Sequence, residues 1–304
     1  MNLPSKLLLV GLTLGFIRPA TAQPADTVIT EADVLATVDE ARALAVDATG
    51  KLYVVDATQN AVVQLAPTAE VLATLGGPGA EEGQFDDPAD IDPTNGLLWV
   101  VADAGNSRLQ RFSHTFLHLE SLPVARVDRF IPGTTGRSAM IGEEARAEEA
   151  DGRPIAVVTS NANEIFAIEE TQGLVLKWDA SRRLERAIGG YEAGEGALVD
   201  PVALAADATS LFVADRGQDA VLVYDHFGGF IRTLASGLAV EVQALSVSGD
   251  ALWIVLPERI LVYETRGRLQ HVYDVKLGEL LVDVARYGNQ TYLLTRTRLM
   301  RVHL

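Results

Sequence analysis

The sequence predicts an all-β chain, a six-bladed β-propeller closed by pairing of the N-terminal strand with the C-terminal blade. Three observations predict it. A thirteen-residue loop occurs twice, units of about 40 residues repeat the same succession of short strands, and the last unit lacks a strand that the N-terminal segment duplicates.

The loop reads GGPGAEEGQFDDP at 76–88 and GGYEAGEGALVDP at 189–201, with Gly, Gly, Ala, Glu, Gly, Asp and Pro in the same seven places. Gly supplies backbone angles that other residues avoid, and Asp-Pro is expected to impose an extended entry into the next strand. The loop therefore reads as the linker from the outermost strand of one blade to the innermost strand of the next. A phosphate loop would need Lys-Ser or Lys-Thr and a following helix, whereas both copies lead into strands.

The best-matched units are ALAVDATGKLYVVDATQNAVVQL from Ala43 and ALAADATSLFVADRGQDAVLVY from Ala203, alternating β-type runs separated by turn residues. An aromatic in the second run marks each of six units: Tyr53, Trp99, Phe166, Phe212, Trp253 and Tyr292. All six are expected to be core residues at equivalent positions. The fourth run ends 22 residues after Tyr53, Phe166, Phe212 and Trp253, and 23 after Trp99. The extra residue falls where WVVAD replaces YVVD, which predicts a β-bulge in that strand. The same count from Tyr292 runs past Leu304, so the sixth blade lacks its outer strand. DVLATV at 33–38 nearly duplicates EVLATL at 70–75 and is expected to supply it, with Val34, Leu35 and Val38 buried.

LLWVVADAGNSRLQRF at 97–112, together with the GGxxAxEGxxxDP linkers, resembles NHL-repeat sequence over nearly the whole chain beyond residue 22. The resemblance implies an exported six-bladed propeller of bacterial type. Unit 3 departs from it with Glu169 where units 1, 2 and 4 have Asp, and units 5 and 6 with LPER and TRTR.

With 48% hydrophobic and 22% charged residues, the composition is that of a globular protein. Residues 1–22 carry Lys6, an apolar run from Leu7 to Ile17 and Ala20-Thr21-Ala22, the pattern of a signal peptide cleaved before Gln23. Export to the periplasm or the extracellular medium follows, leaving one domain over 23–304 with a loop inserted at about 125–153. The apolar run is too short to span a bilayer, and no other segment reads as a span. Cleavage leaves 23 basic and 41 acidic residues, a net charge of 23 − 41 = −18, which disfavours nucleic acid as a partner. The absence of cysteine excludes disulfides and thiolate zinc sites. A monomer is expected.

Successive strands of a blade run antiparallel, so blade linkers and the turns between second and third strands emerge at one end of the ring. That end collects Asp56, Asp103, Asn106, Arg108 and Asp215 from the turns. It also collects Glu40, Asp87, Asp200 and Glu241 from positions just before the innermost strands. An Asp leading a tight loop commonly accepts the loop's own N–H groups, and rim carboxylates are commonly solvated. The functional reading is an acidic rim that binds a cation or a cationic ligand. The insertion emerges at the same end, either as a solvated loop or as a lid. It offers Ser138 as cap of a short helix through Ala150, and Phe130, Ile131 and Met140 as an apolar anchor.

Catalytic patterns are scarce. His114, His118, His226, His271 and His303 form no metal-ligand motif, and no nucleophile elbow, HExxH or EF-hand loop occurs. Arg296 and Arg298 read as a solvated edge. The expected function is a noncatalytic binding scaffold for a protein, peptide or glycan, with no cofactor. The other reading is a lactonase- or lyase-like propeller with a divalent cation such as Ca²⁺ near the channel, held by Glu40 and Glu241. Against it, Ala43, Ala45, Ala203, Ala205 and Ala244 stand where such a site needs Asn or His.

Overall fold

The computed structural model describes residues 24–93, 98–126, 139–140, 150–238 and 241–304. Residues 1–22, read as the signal peptide, and nearly all of the insertion, including Phe130, Ile131 and Ser138, lie outside the described residues. Six antiparallel sheets follow one another along the chain. From the innermost strand outward, blade 1 is Ala41–Val46, Leu52–Asp56, Ala61–Leu65 and Val71–Gly76. Blade 2 is Pro88–Asp92, Leu98–Asp103, Arg108–Ser113 and His118–Pro123, and blade 3 is Pro154–Thr159, Ile165–Glu169, Leu174–Trp178 and Leu184–Ile188. Blade 4 is Pro201–Ala206, Ser210–Asp215, Ala220–Asp225 and Phe230–Ser236, and blade 5 is Ala244–Ser248, Ala251–Leu256, Arg259–Glu264 and Leu269–Val275. Blade 6 takes Leu281–Tyr287, Gln290–Thr295 and Arg298–His303 from the C-terminus and Asp33–Thr37 from the N-terminus.

The closure expected from the DVLATV duplication is present, with Asp33 opposite Arg301 and Thr37 opposite Arg298. A second N-terminal strand, Thr27–Ile29, runs parallel to Leu269–Val275 and widens blade 5 to five strands. Blade 3 is also widened to five strands, by Ala139–Met140, which runs antiparallel to Leu184–Ile188 with Ala139 opposite Ala187 and Met140 opposite Arg186. At these two residues a strand therefore stands where the sequence expectation is a helix from Ser138 through Ala150, because the outermost strand of blade 3 offers unpaired backbone groups for the chain to join.

Apart from the first residue in blades 2, 4, 5 and 6, the second strands are buried, since each lies between two other strands and its two faces pack on the two neighbouring blades. Five of the six marker aromatics are equivalent: Tyr53, Phe166, Phe212, Trp253 and Tyr292 lie opposite Ala45, Val158, Ala205, Ser246 and Ala285 of their inner strands. Trp99 is not. Leu98–Asp103 pairs with Arg108–Ser113 in unbroken register, without the expected bulge, and Val100 takes the equivalent position opposite Asp92. One residue out of step on a strand means the opposite face. Val100 packs toward blade 3, whereas Trp99 faces back against Tyr53, edge-on at 4.8 Å between ring centroids.

The repeated loop works by folding back on itself. Gly76 and Gly189 have φ of 112° and 86°, and a Cβ on either would lie within 2.5 Å of Phe85 and 2.3 Å of Leu198 respectively. In both copies the apolar residue nine places later plugs the space over the first Gly, and Phe85 is fully buried. The entry into the next strand is not extended in both: Asp87 has φ 47°, a left-handed conformation that Asp tolerates, with its N–H held by Asn60 Oδ1 at 2.7 Å.

Candidate functional site

At the linker end, the turn carboxylates tie loops to linkers. Asp56 accepts the N–H groups of Asp39 and Gln59 at 3.3 and 3.1 Å. Asp103 accepts Asp86 N at 2.8 Å, Arg108 Nε at 2.7 Å and Gln110 Nε2 at 2.9 Å, with Asn106 Nδ2 at 2.9 Å. Asp215 accepts the N–H groups of Val199, Asp200 and Gln218 at 2.7, 3.1 and 2.9 Å. Glu169 does the same for Arg153, Thr171 and Gln172, so the departure of unit 3 from Asp leaves the role intact with one more methylene. In blade 6 the acid has moved to the linker, where Glu279 accepts the hydroxyls of Thr295 and Thr297 at 2.6 and 2.9 Å. Those hydroxyls, with Arg298 nearby, hold the Glu279 carboxyl below its ordinary range. Asp103, Asn106, Arg108 and Asp215 therefore stand in the framework of the face.

The rim itself is divided. Over blades 6 to 3 an arc of alternating charge runs from Arg296 to Glu40 at 2.9 Å, Glu40 to Arg42 at 3.3 Å and Arg42 to Asp87 at 3.5 Å. It continues from Asp87 to Arg153 and from Arg153 to Glu170 at 3.0 Å. Glu40 and Asp87 are thus paired with arginines, and Arg296, an exposed side chain as the solvated-edge reading expects, also joins the arc. Over blades 4 and 5, Asp200 and Glu241 are exposed, and neither enters an ion pair among the described residues. Glu40 and Glu241 precede blades 1 and 5 and are not brought together. Among the described residues, no three His, Cys, Asp or Glu side chains gather as a metal site.

On the axis lies a cavity of about 400 Å³ lined by the inner strands, with Arg42 and Arg286 among its polar residues. Three acids of these strands, Asp90, Asp92 and Asp283, are absent from the sequence-derived candidates. The signal was available: past the first residues of the inner strand, Ala43, Asp90, Ala156, Ala203, Ala244 and Asp283 correspond, opposite Val55, Ala102, Ile168, Ala214, Val255 and Leu294. Asp interrupts an otherwise all-Ala position. Asp90 accepts its own neighbour Ile91 N at 2.8 Å and, across the blade junction, Val157 N at 2.8 Å. Asp283 repeats this with Val284 N at 2.7 Å and Leu44 N at 2.8 Å. Asp92 accepts Thr159 Oγ1 at 2.6 Å and Thr159 N.

Burial pushes the Asp283 carboxyl up to about 7, with the N–H groups of Leu44 and Val284 opposing. Burial likewise drives Asp90 well above the ordinary carboxylate range, against the Val157 N–H and with the charges of Asp283 and Asp92 adding. Asp90 retains some accessible surface, but that surface opens on the channel rather than on bulk solvent. A carboxyl with a folded pKa above its unfolded value of 3.8 contributes stability that is complete below 3.8 and is lost as pH rises through about 7. The urea midpoint of the native protein should therefore fall between pH 5 and pH 8. Asp283→Asn, which keeps a carbonyl oxygen for Leu44, should flatten the fall, and an unchanged pH slope in that variant would refute the assignment.

No family model matches this chain, and no curated protein matches it. Solved structures do. A streptogramin B lyase structure aligns at TM-score 0.57 with 10% identity, covering 86% of this chain and 78% of that one. A catalytically inactive virginiamycin B lyase from Staphylococcus aureus with quinupristin aligns at 0.56 with 9% identity, covering 87% and 80%. A luciferin-regenerating enzyme aligns at 0.58 with 13% identity, covering 89% and 93%. The chain is a six-bladed β-propeller. At these identities the likeness is one of fold. No helix among the described residues is long and apolar enough to cross a membrane.

Proposed function

We propose that this chain is an exported, noncatalytic binding propeller. It takes a protein, peptide or glycan ligand on the linker face, part of the ligand entering the axial cavity. The observation that carries the reading is the division of that face. One half is an arc of charges neutralised by one another, and the other half presents Asp200 and Glu241 outside any ion pair among the described residues. Turns tied by Asp56, Asp103, Glu169 and Asp215 make the face rigid before binding, which lowers the ordering cost. A volume of about 400 Å³ suits a small group or a short terminal segment. The acids lining it accept backbone N–H groups, a role in holding the ring rather than in turnover. The alternative reading, a metal-dependent lactonase- or lyase-like enzyme, has less support, since Glu40 is engaged by Arg42 and Arg296.

The test is capture from an envelope extract by immobilised native protein and by the Asp200→Asn, Glu241→Gln double variant. A partner retained by the native protein should be held about three- to tenfold less well by the variant, and added salt should weaken capture. Equal capture by both would move the binding site to the opposite face.

A further inference from the structure

Two of the three inner-strand aspartates that line the cavity, Asp90 and Asp283, follow a rule of alternate blades. Asp90 on blade 2 takes the inner-strand N–H groups of blades 2 and 3, and Asp283 on blade 6 takes those of blades 6 and 1. The same rule calls for a third carboxylate on blade 4, serving blades 4 and 5, but the residue there is Ala203. The N–H groups it would serve belong to Leu204 and Leu245.

Register shows where those groups point. Leu204 lies opposite Val213 and Leu245 opposite Ile254, as Leu44 lies opposite Val54 and Val157 opposite Ala167. Leu44 and Val157 direct their N–H groups to the cavity carboxylates. Ladder bonds alternate along an antiparallel strand, and Asp207 N bonds Ser210 O, so the N–H three residues earlier, on Leu204, turns away from its partner strand. Both leucines line the axial cavity, and neither N–H meets an acceptor among the described residues. A buried donor pair without an acceptor is costly, and a charged acceptor suits it best.

We propose that the axial cavity binds a ligand carboxylate, seated on the N–H groups of Leu204 and Leu245 where the third aspartate of the pattern would stand. The proposal rests on the reading of the cavity as a ligand seat and names the chemistry of its occupant. Two features make an anion tolerable beside Asp90 and Asp283. Arg42 and Arg286 line the same cavity, and burial favours the protonated form of both acids. A carboxylate of this kind ends a peptide chain or is carried by a uronic acid.

The experiment is titration of the ¹⁵N-labelled full domain with sodium acetate, followed by amide resonances. Leu204 and Leu245 should shift downfield and saturate, while Leu44 and Val157, already held by carboxylates, should move little. N-acetylalanine and glucuronate then distinguish a chain terminus from an acidic sugar by which shifts the pair at lower concentration. N-acetylalaninamide, lacking the charge, should shift neither. In Ala203→Asp, the two amides should lie downfield without ligand, and acetate affinity should fall about tenfold or more. Acetate that leaves Leu204 and Leu245 unmoved, or moves all four amides alike, overturns the proposal, as does an equal response to the amide. The native titration decides even where the Ala203→Asp chain does not fold. Shifts at the pair without capture of any partner from the extract would sink the scaffold reading alone. Capture without shifts would sink the carboxylate alone.

Discussion

Deleting residues 23–39 will leave a protein that aggregates, or that melts far below the full-length chain. Two strands go at once. Loss of Asp33–Thr37 bares the edge of Arg298–His303, and loss of Thr27–Ile29 bares that of Leu269–Val275. The side chains that carry the loss differ from the sequence expectation. Ile29 is 6% exposed and packs among Val255, Val275 and Met300, and Leu35 and Val38 pack against the junction of blades 6 and 1. Val34, expected to be buried, is 53% exposed, because it lies on the outer strand's solvent side. Each large side chain removed from burial costs roughly 1.5–3 kcal/mol, and two unpaired edges add a route to self-association. Thermal unfolding with size-exclusion chromatography makes the measurement. A truncated chain that remains a soluble monomer and melts with the full-length protein would show that the ring does not depend on its N-terminal closure.

Phe212→Ala should destabilise the protein by about 3–5 kcal/mol. Its ring is fully buried between blades 4 and 5, against Val221, Val223 and Leu234 of its own blade and Leu252 and Ile254 of the next. Neighbouring blades are tied to their own strand ladders and cannot close over the space, so the cavity term is added to the transfer term. The shift of the urea midpoint at unchanged slope measures it. A loss below about 1 kcal/mol would mean that the blade junction collapses freely, contrary to the packing described.

Blade number, ring closure and the face on which each loop emerges could be read from the chain alone. They follow from strand alternation, a repeat length and one duplicated segment, all of which are short-range regularities. The same reasoning misplaced Trp99, because counting from the aromatic cannot tell an insertion before a strand from a bulge within it, and only pairing with Asp92 and Phe112 separates the two. Glu40 and Asp87 read as rim acids for a cation or cationic ligand, and their pairing with arginines of other blades was not legible: Arg296 lies 256 residues from Glu40, and Arg153 lies 66 from Asp87. Asp283 escaped notice for a related reason. Its partner Leu44 is 239 residues away and stands beside it only because the ring closes. Local pattern specifies which strands form and which way they run. Which charges meet, and which backbone groups turn into the channel, depends on six inner strands being brought around one axis, and no segment of the chain encodes that by itself.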